Sequence, residues 1–266
     1  MLEIITSKKA KQARVALFDF DGTLSLIRAG WIDVMVPMMV EELVATNSGE
    51  SEAELTEIVR EFVGNLTGRQ TIYQMMALAD EMNKRGGSPE DPLVYKKRYL
   101  TLLQDRIKDR LEALESGSVE PDSFAVPGSR DLLNGLKERG FKMYLASGTD
   151  QDYMRHEADL LGFSEYFDGG VYGALDDYKS FSKKILIERI IANAEYSGEE
   201  FLGFGDGYVE IENVHQVGGT TVGVATDEPD CAKVDEWKRQ RLVNVGADFI
   251  VPHYRDRDAL FEALFD

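Results

Sequence analysis

The run Val15-Ala-Leu-Phe-Asp-Phe-Asp21, followed by Gly22, narrows the possible folds more than any other stretch of this 266-residue chain. Its opening residues are apolar without alternation, as in a strand covered on both faces. Its two acids and glycine suit the loop into which such a strand runs out. A strand of that kind belongs in a parallel sheet, and parallel neighbours need crossover connections. The second half of the chain has that rhythm. Helical spacing over Ser129–Arg139, with Ser129 as N-cap, precedes a strand at Phe141–Ala146 that ends in Ser147-Gly148-Thr149. Helices at Gln151–Leu161 and Ser182–Ala194 follow, then a strand at Phe201–Phe204 ending in Gly205-Asp206-Gly207. A short helix, strands at Thr220–Ala225 and Asp248–Val251, and a final helix close the chain.

Between the first strand and Ser129 the rhythm breaks. From about Trp31 to Leu114 the signals are helical. Leu55, Ile58, Val59, Phe62 and Val63 have helical spacing, as do Tyr99, Leu102, Leu103, Ile107, Leu111 and Leu114. Gly64–Gly68 and Gly86-Gly87-Ser88-Pro89 punctuate the stretch, and Ser116–Pro127 is a turn-rich return. A segment of that length is a second domain rather than a loop. The expected fold is therefore α/β: a Rossmann-like parallel sheet with helices on both faces, built from residues 1–24 and 120–266, plus an inserted helical domain over residues 25–119.

Asp and Glu number 48 against 30 Lys and Arg, a formal net charge of −18. Such a field repels phosphate backbones and anionic membrane surfaces, so neither nucleic acid nor membrane is an expected partner. The longest apolar run, Val34–Val40, contains Pro37 and falls far short of the ~20 residues that span a bilayer. Residues 1–13 are polar and lysine-bearing, unlike a secretory signal. Cys231 is the only cysteine, which excludes an internal disulfide and cysteine-cluster metal sites. A single thiol fits a reducing, cytoplasmic setting. Either a monomer or a homodimer is compatible with these features.

Three expected strands end in small polar or acidic residues: Asp19-Phe20-Asp21-Gly22-Thr23, Ser147-Gly148-Thr149, and Gly205-Asp206 with Glu210. In an open α/β sheet, ligands bind beyond the carboxyl ends of the strands, so the three segments should converge. Four carboxylates brought together repel unless a cation sits among them. With no histidine or cysteine cluster beside them, a hard cation with oxygen ligands is implied, and Mg²⁺ is the natural candidate. Ser147 offers a hydroxyl, and the Gly148 and Thr149 amides lie near an expected helix start, a combination that binds phosphate. Lys179, Lys183 and Lys184 cluster at the next helix start, where the dipole disfavours cations, so a site role would explain them. Lys183 is preferred, because Leu186, Ile187 and Ile190 follow it at helical spacing, and Lys179 is the second choice. Arg28 lies just past the first motif, where it can meet a substrate anion or pack at the entrance to the insert.

Asp19-Phe20-Asp21-Gly22-Thr23-Leu24 resembles the first motif of the haloacid dehalogenase-like hydrolases. Ser147 resembles the second, a lysine near 183 the third, and Gly205-Asp206 with Glu210 the fourth. The insert resembles the family's type 1 helical cap, which closes over the site and selects the substrate. The resemblance implies that Asp19 is the nucleophile, forming an aspartyl-phosphate, and that Asp21 is the general acid/base. It implies Mg²⁺ held by Asp19, the backbone carbonyl of Asp21 and Asp206, with Glu210 acting through water or as a direct ligand. It also implies Lys183 as the cation beside the nucleophile. Two features depart from the family pattern: no proline follows Lys179, and Glu210 stands where aspartate is commoner. Dehalogenases of the family lack a carboxylate at the second acidic position, because a halide leaves without a proton. Asp21 therefore points to a small-molecule phosphate ester as substrate, in a phosphatase or a phosphomutase. A binding protein on the same scaffold would show a broken constellation, and here every charged position is present.

Overall fold

The structure, a computed structural model, describes residues 2–175, 182–192 and 196–266. The chain divides into two compact units: Met1–Ala29 with Arg110–Asp266, and Gly30–Asp109. The first unit is an α/β domain of Rossmann-like type. Its seven-stranded sheet contains β1 (Glu3–Ile4), β2 (Val15–Phe18), β3 (Lys142–Asp150), β4 (Gly170–Ala174), β5 (Phe201–Gly205), β6 (Thr220–Val224) and β7 (Phe249–Val251). The strand order is β1-β7-β6-β5-β2-β3-β4, and every pairing is parallel except β1 with β7. The apolar run Val15–Phe18 is thus the central strand, and all four residues of β2 are fully buried. From β2 the chain builds outward through β3 to β4, then returns to the other flank of β2 for β5, β6 and β7. At that reversal the loops leaving β2, β3 and β5 part in opposite directions and leave a crevice at their carboxyl ends.

The second unit holds α1 (Ile32–Val44), α2 (Glu52–Asn65), α3 (Thr71–Lys84) and most of α4 (Pro92–Glu115). Ser51 starts α2 with a reciprocal capping box to Glu54, which satisfies backbone donors that the helix leaves open. Val59, Met75, Leu78, Tyr99, Leu103 and Ile107 are buried, which accounts for the helical spacing of this segment. Residues 25–29 and 110–119 belong to the first unit. Ser25 bridges to Ala125, Leu26 donates its amide to the Phe124 carbonyl at 2.8 Å, and Arg110 donates to the carbonyls of Ile27 and Ala29 at 2.6 and 2.8 Å.

The remaining helices are α5 (Ser129–Glu138), α6 (Gln151–Leu160), α7 (Lys183–Ala192), α8 (Tyr208–Gln216), α9 (Glu236–Asn244) and α10 (Arg257–Phe265). Leu186, Ile187 and Ile190 of α7 pack with Val15, Leu17, Tyr144, Phe201 and Val214, so α7 and α8 cover the central strands. Three features differ from the sequence expectation. Gly128, at φ +86°, caps α5, whereas Ser129 is its first residue and donates its hydroxyl to the Val126 carbonyl at 2.7 Å. β3 does not stop at Ala146 but runs to Asp150, with a register shift against β4. β1, β4 and α9 were not anticipated. Among the described residues no helix is long and apolar enough to cross a membrane.

Candidate active site

The loop after β2 is built by backbone geometry. Asp19 leaves the sheet while its amide still donates to the Phe204 carbonyl at 2.9 Å, and the Phe18 and Phe204 rings stack at 4.4 Å beneath it. The amides of Leu24 and Ser25 both donate to the Phe20 carbonyl, which closes a tight turn. Gly22 sits in that turn at φ +71°, and a β-carbon there would stand 2.3 Å from Asp206 Oδ2 and 2.9 Å from Glu228 Oε1. Conformation and space therefore both require glycine. The Asp206 amide donates to Thr23 Oγ1 at 2.9 Å, tying the loop after β5 to the loop after β2.

Lys183, the first residue of α7, brings its ammonium to 2.9 Å from Asp19 Oδ1 and 2.7 Å from Glu210 Oε2. All three side chains are buried. Glu210 also accepts the Gly207 amide at 3.0 Å, and a β-carbon on Gly205 would overlap its carboxylate, which explains that glycine. Burial raises the pKa of Asp19 well above its ordinary range; Lys183 opposes the rise, and the Glu210 and Asp206 carboxylates add to it. Burial alone would lower the Lys183 pKa, but Asp19 and Glu210 outweigh it and hold the ammonium above its ordinary value. Lys184 is exposed beside Glu188. Lys179 lies outside the described residues.

Asp21 faces the other flank. Its Oδ2 accepts from Thr149 Oγ1 at 2.8 Å and from Ser147 Oγ at 3.3 Å. Its Oδ1 is buried without a hydrogen-bond donor, 3.8 Å from Arg28 Nε. Ser147 and Thr149 thus converge with Asp21, and half-buried Gly148 lies between them. The Thr149 amide, expected to face phosphate, donates instead to Ser147 Oγ at 3.0 Å. Arg28, for which a substrate contact was one expectation, is buried and grips Glu157 with two nitrogens, at 2.7 Å to Oε1 and 3.0 Å to Oε2. Burial raises the Glu157 pKa, and Arg28 opposes that rise.

Several residues here escaped the sequence reading. Lys238 of α9 stands 3.0 Å from Asp206 Oδ2 and 2.6 Å from Glu228 Oε1. Tyr254 is buried with its hydroxyl unpartnered among the described residues, and burial together with Asp206 and Asp19 raises its pKa well above the ordinary value. The missed signal for Lys238 is its place in the first turn of a helix, where the dipole disfavours a cation.

Asp19, Asp206 and Glu210 each offer a carboxylate oxygen, all within 4.8 Å of one another. The donors are hard oxygens and the setting is largely buried. That donor set fits a hard divalent cation such as Mg²⁺. The Asp21 side chain is not in this group; the backbone carbonyl is the atom that the resemblance assigns to the metal.

An acidic cluster thus lies at the switch point of a parallel sheet, with a buried lysine on its leading aspartate. Residues 13–218 match the family model described as haloacid dehalogenase-like hydrolase, and the chain belongs to that family. No curated protein sequence matches the chain. Among solved structures, the chain is similar to a phosphonoacetaldehyde hydrolase-like protein from Oleispira antarctica, with TM-score 0.63 and 14% identity over 98% of this chain and 95% of that one. It is similar to a predicted phosphoglycolate phosphatase from Haemophilus somnus 129pt, with TM-score 0.58 and 15% identity over 94% and 98%. A β-phosphoglucomutase from Clostridium difficile matches with TM-score 0.55 and 14% identity over 87% and 98%. At such identities these likenesses show the fold alone.

Proposed function

We propose that this hydrolase is a Mg²⁺-dependent phosphatase of a small phosphomonoester, working through an aspartyl-phosphate on Asp19. The observation that carries the reading is the second acid: Asp21 is held by Thr149 and Ser147 with one oxygen free of any hydrogen-bond donor. An ester leaving group needs a proton, and a carboxyl group at position 21 would supply one. Asp19 attacks phosphorus while the bond to the ester oxygen breaks, and Asp21 protonates the departing alcohol. Asp21 then takes a proton from the water that attacks the aspartyl-phosphate, which frees inorganic phosphate and restores Asp19. Lys183 opposes the burial that disfavours an ionised Asp19, and it faces the incoming anion. Ser147 offers its hydroxyl to a phosphate oxygen. Arg28, clamped by Glu157, holds Asp21 from behind. Mg²⁺ at Asp19, Asp206 and Glu210 would neutralise charge on the transferring phosphoryl group. The inserted helical unit is assigned substrate selection, and the lone buried thiol of Cys231 accords with a cytoplasmic setting.

The test is hydrolysis of p-nitrophenyl phosphate with added Mg²⁺. Asp19→Asn is expected to lose turnover while its circular dichroism matches wild type, and excess EDTA is expected to silence the wild type. Turnover surviving either change overturns the mechanism. A sugar phosphate converted to its isomer without release of phosphate would replace the phosphatase reading by a mutase.

A further inference from the structure

We propose that Lys238 and Glu228 are a built-in counter-charge pair that sets how tightly the acid cluster holds its divalent cation: Lys238 competes with the cation for Asp206, and Glu228 draws Lys238 away from it. The inference rests on the metal site proposed above and concerns two residues outside the four motifs.

The pair is built into the site rather than lying on the surface. The Lys238, Asp206 and Glu228 side chains are only 14%, 11% and 17% exposed. The missing side chain of Gly22 leaves room for Asp206 Oδ2 and Glu228 Oε1 together, so both carboxylates converge on the loop that carries Asp19 and Asp21. Lys238 stands in the first turn of α9, and its amide donates to the capping carboxylate of Asp235 at 2.9 Å. The helix dipole opposes an ammonium there. The helix's local chemistry therefore does not call for this lysine, and its two contacts run to the site. Glu228 in turn has no reason to be buried beside Asp206 unless a cation stands between them.

The consequence is electrostatic. An ammonium on Asp206 occupies one of that residue's oxygens and repels any further cation at the cluster. Removing Lys238 lifts the repulsion and frees that oxygen. Neutralising Glu228 does the reverse, leaving Asp206 as the only anion on the ammonium. The two changes should move cation affinity in opposite directions. A pair that only supported the fold would give losses of the same sign.

The experiment measures Mn²⁺ binding to the purified full chain by electron paramagnetic resonance of the free ion, alongside thermal melting. Lys238→Met is expected to tighten Mn²⁺ binding by about tenfold or more, and Glu228→Gln to weaken it by about tenfold. Lys238→Arg, which keeps the charge, is expected to stay within about threefold of wild type. If Lys238→Met does not fold, Glu228→Gln, which keeps size and hydrogen-bonding capacity, carries the test: weakening supports the inference, and unchanged or tighter binding overturns it. Variants that shift in the same direction, or not at all, while wild type binds Mn²⁺, overturn this inference alone. Wild type that binds no Mn²⁺, or Asp206→Asn that binds as well as wild type, overturns the metal site and the inference together.

Discussion

Lys183→Met isolates the strongest electrostatic commitment of the site. The ammonium is 4% exposed and stands 2.9 Å from Asp19 and 2.7 Å from Glu210. Removing it leaves two buried carboxylates without a cation, and breaking a buried pair from one side typically costs about 3–5 kcal/mol. The folded chain has one way to relieve this, which is to protonate a carboxylate. Keeping a proton at pH 7 on a group whose ordinary pKa is 3.8 costs about 4 kcal/mol, at about 1.4 kcal/mol per pH unit. The two routes agree, so metal-free Lys183→Met should lose about 4 kcal/mol at pH 7. The sign with pH follows. In the variant the folded state holds a proton that the unfolded state has released, so the variant's own stability rises by about 1.4 kcal/mol per unit as pH falls from 7 towards 5. In wild type the Lys183 pKa lies above 10.5, so its stabilisation is fully present across that range. Urea unfolding followed by circular dichroism at several pH values reads the difference. A penalty below about 1 kcal/mol at pH 7, or a variant whose stability does not rise as pH falls from 7 towards 5, refutes the reasoning. Turnover of p-nitrophenyl phosphate should fall by at least about a hundredfold.

Gly22→Ala should cost about 2–3 kcal/mol or more, because it adds a side chain at positive φ and drives it into Asp206; a thermal melt indistinguishable from wild type would contradict this. Arg28→Met should cost about 3–5 kcal/mol by leaving Glu157 buried and unpaired, whereas Arg28→Met with Glu157→Leu should recover most of that loss. A double-mutant cycle by denaturant unfolding decides the matter, and additive losses would mean that the two side chains do not act as a unit.

How much of the fold could be read in advance followed from how completely each element is buried. Val15–Phe18 and Phe201–Gly205 are uninterrupted apolar runs because both faces of the central sheet are covered. β4 lies at the sheet edge, and its sequence Gly-Val-Tyr-Gly-Ala gives no run to detect. β1 is two residues long and exists only through its antiparallel pairing with β7. α9 buries a single residue, Leu242, so no apolar stripe announces it. Ser129 reads as an N-cap by residue type, but Gly128 at positive φ takes that position and turns the serine hydroxyl back to Val126. Residues that bury little, and geometry that depends on a neighbour's backbone angle, leave no periodic trace.

The site divides along the same line, and one physical sign would have extended the reading. Three lysines sit in the first turns of α7 and α9, where the helix dipole disfavours them: Lys183, Lys184 and Lys238. Lys184 resolves the conflict locally, because Glu188 lies one turn along its own exposed face at 3.9 Å. Lys183 and Lys238 find their partners on other elements, Lys183 at Asp19 and Glu210, and Lys238 at Asp206 and Glu228. Both helices follow strands of the parallel sheet and so begin at its carboxyl edge, where the acids gather. A lysine that offends its own helix, and whose ammonium no acid of that helix answers, therefore points to distant carboxylates. Lys183 was legible because apolar residues at helical spacing follow it and fix which way its helix lies. Lys238 was not, because the polar surface of α9 hides that orientation, and only the fold brings its ammonium to the second aspartate of the cluster.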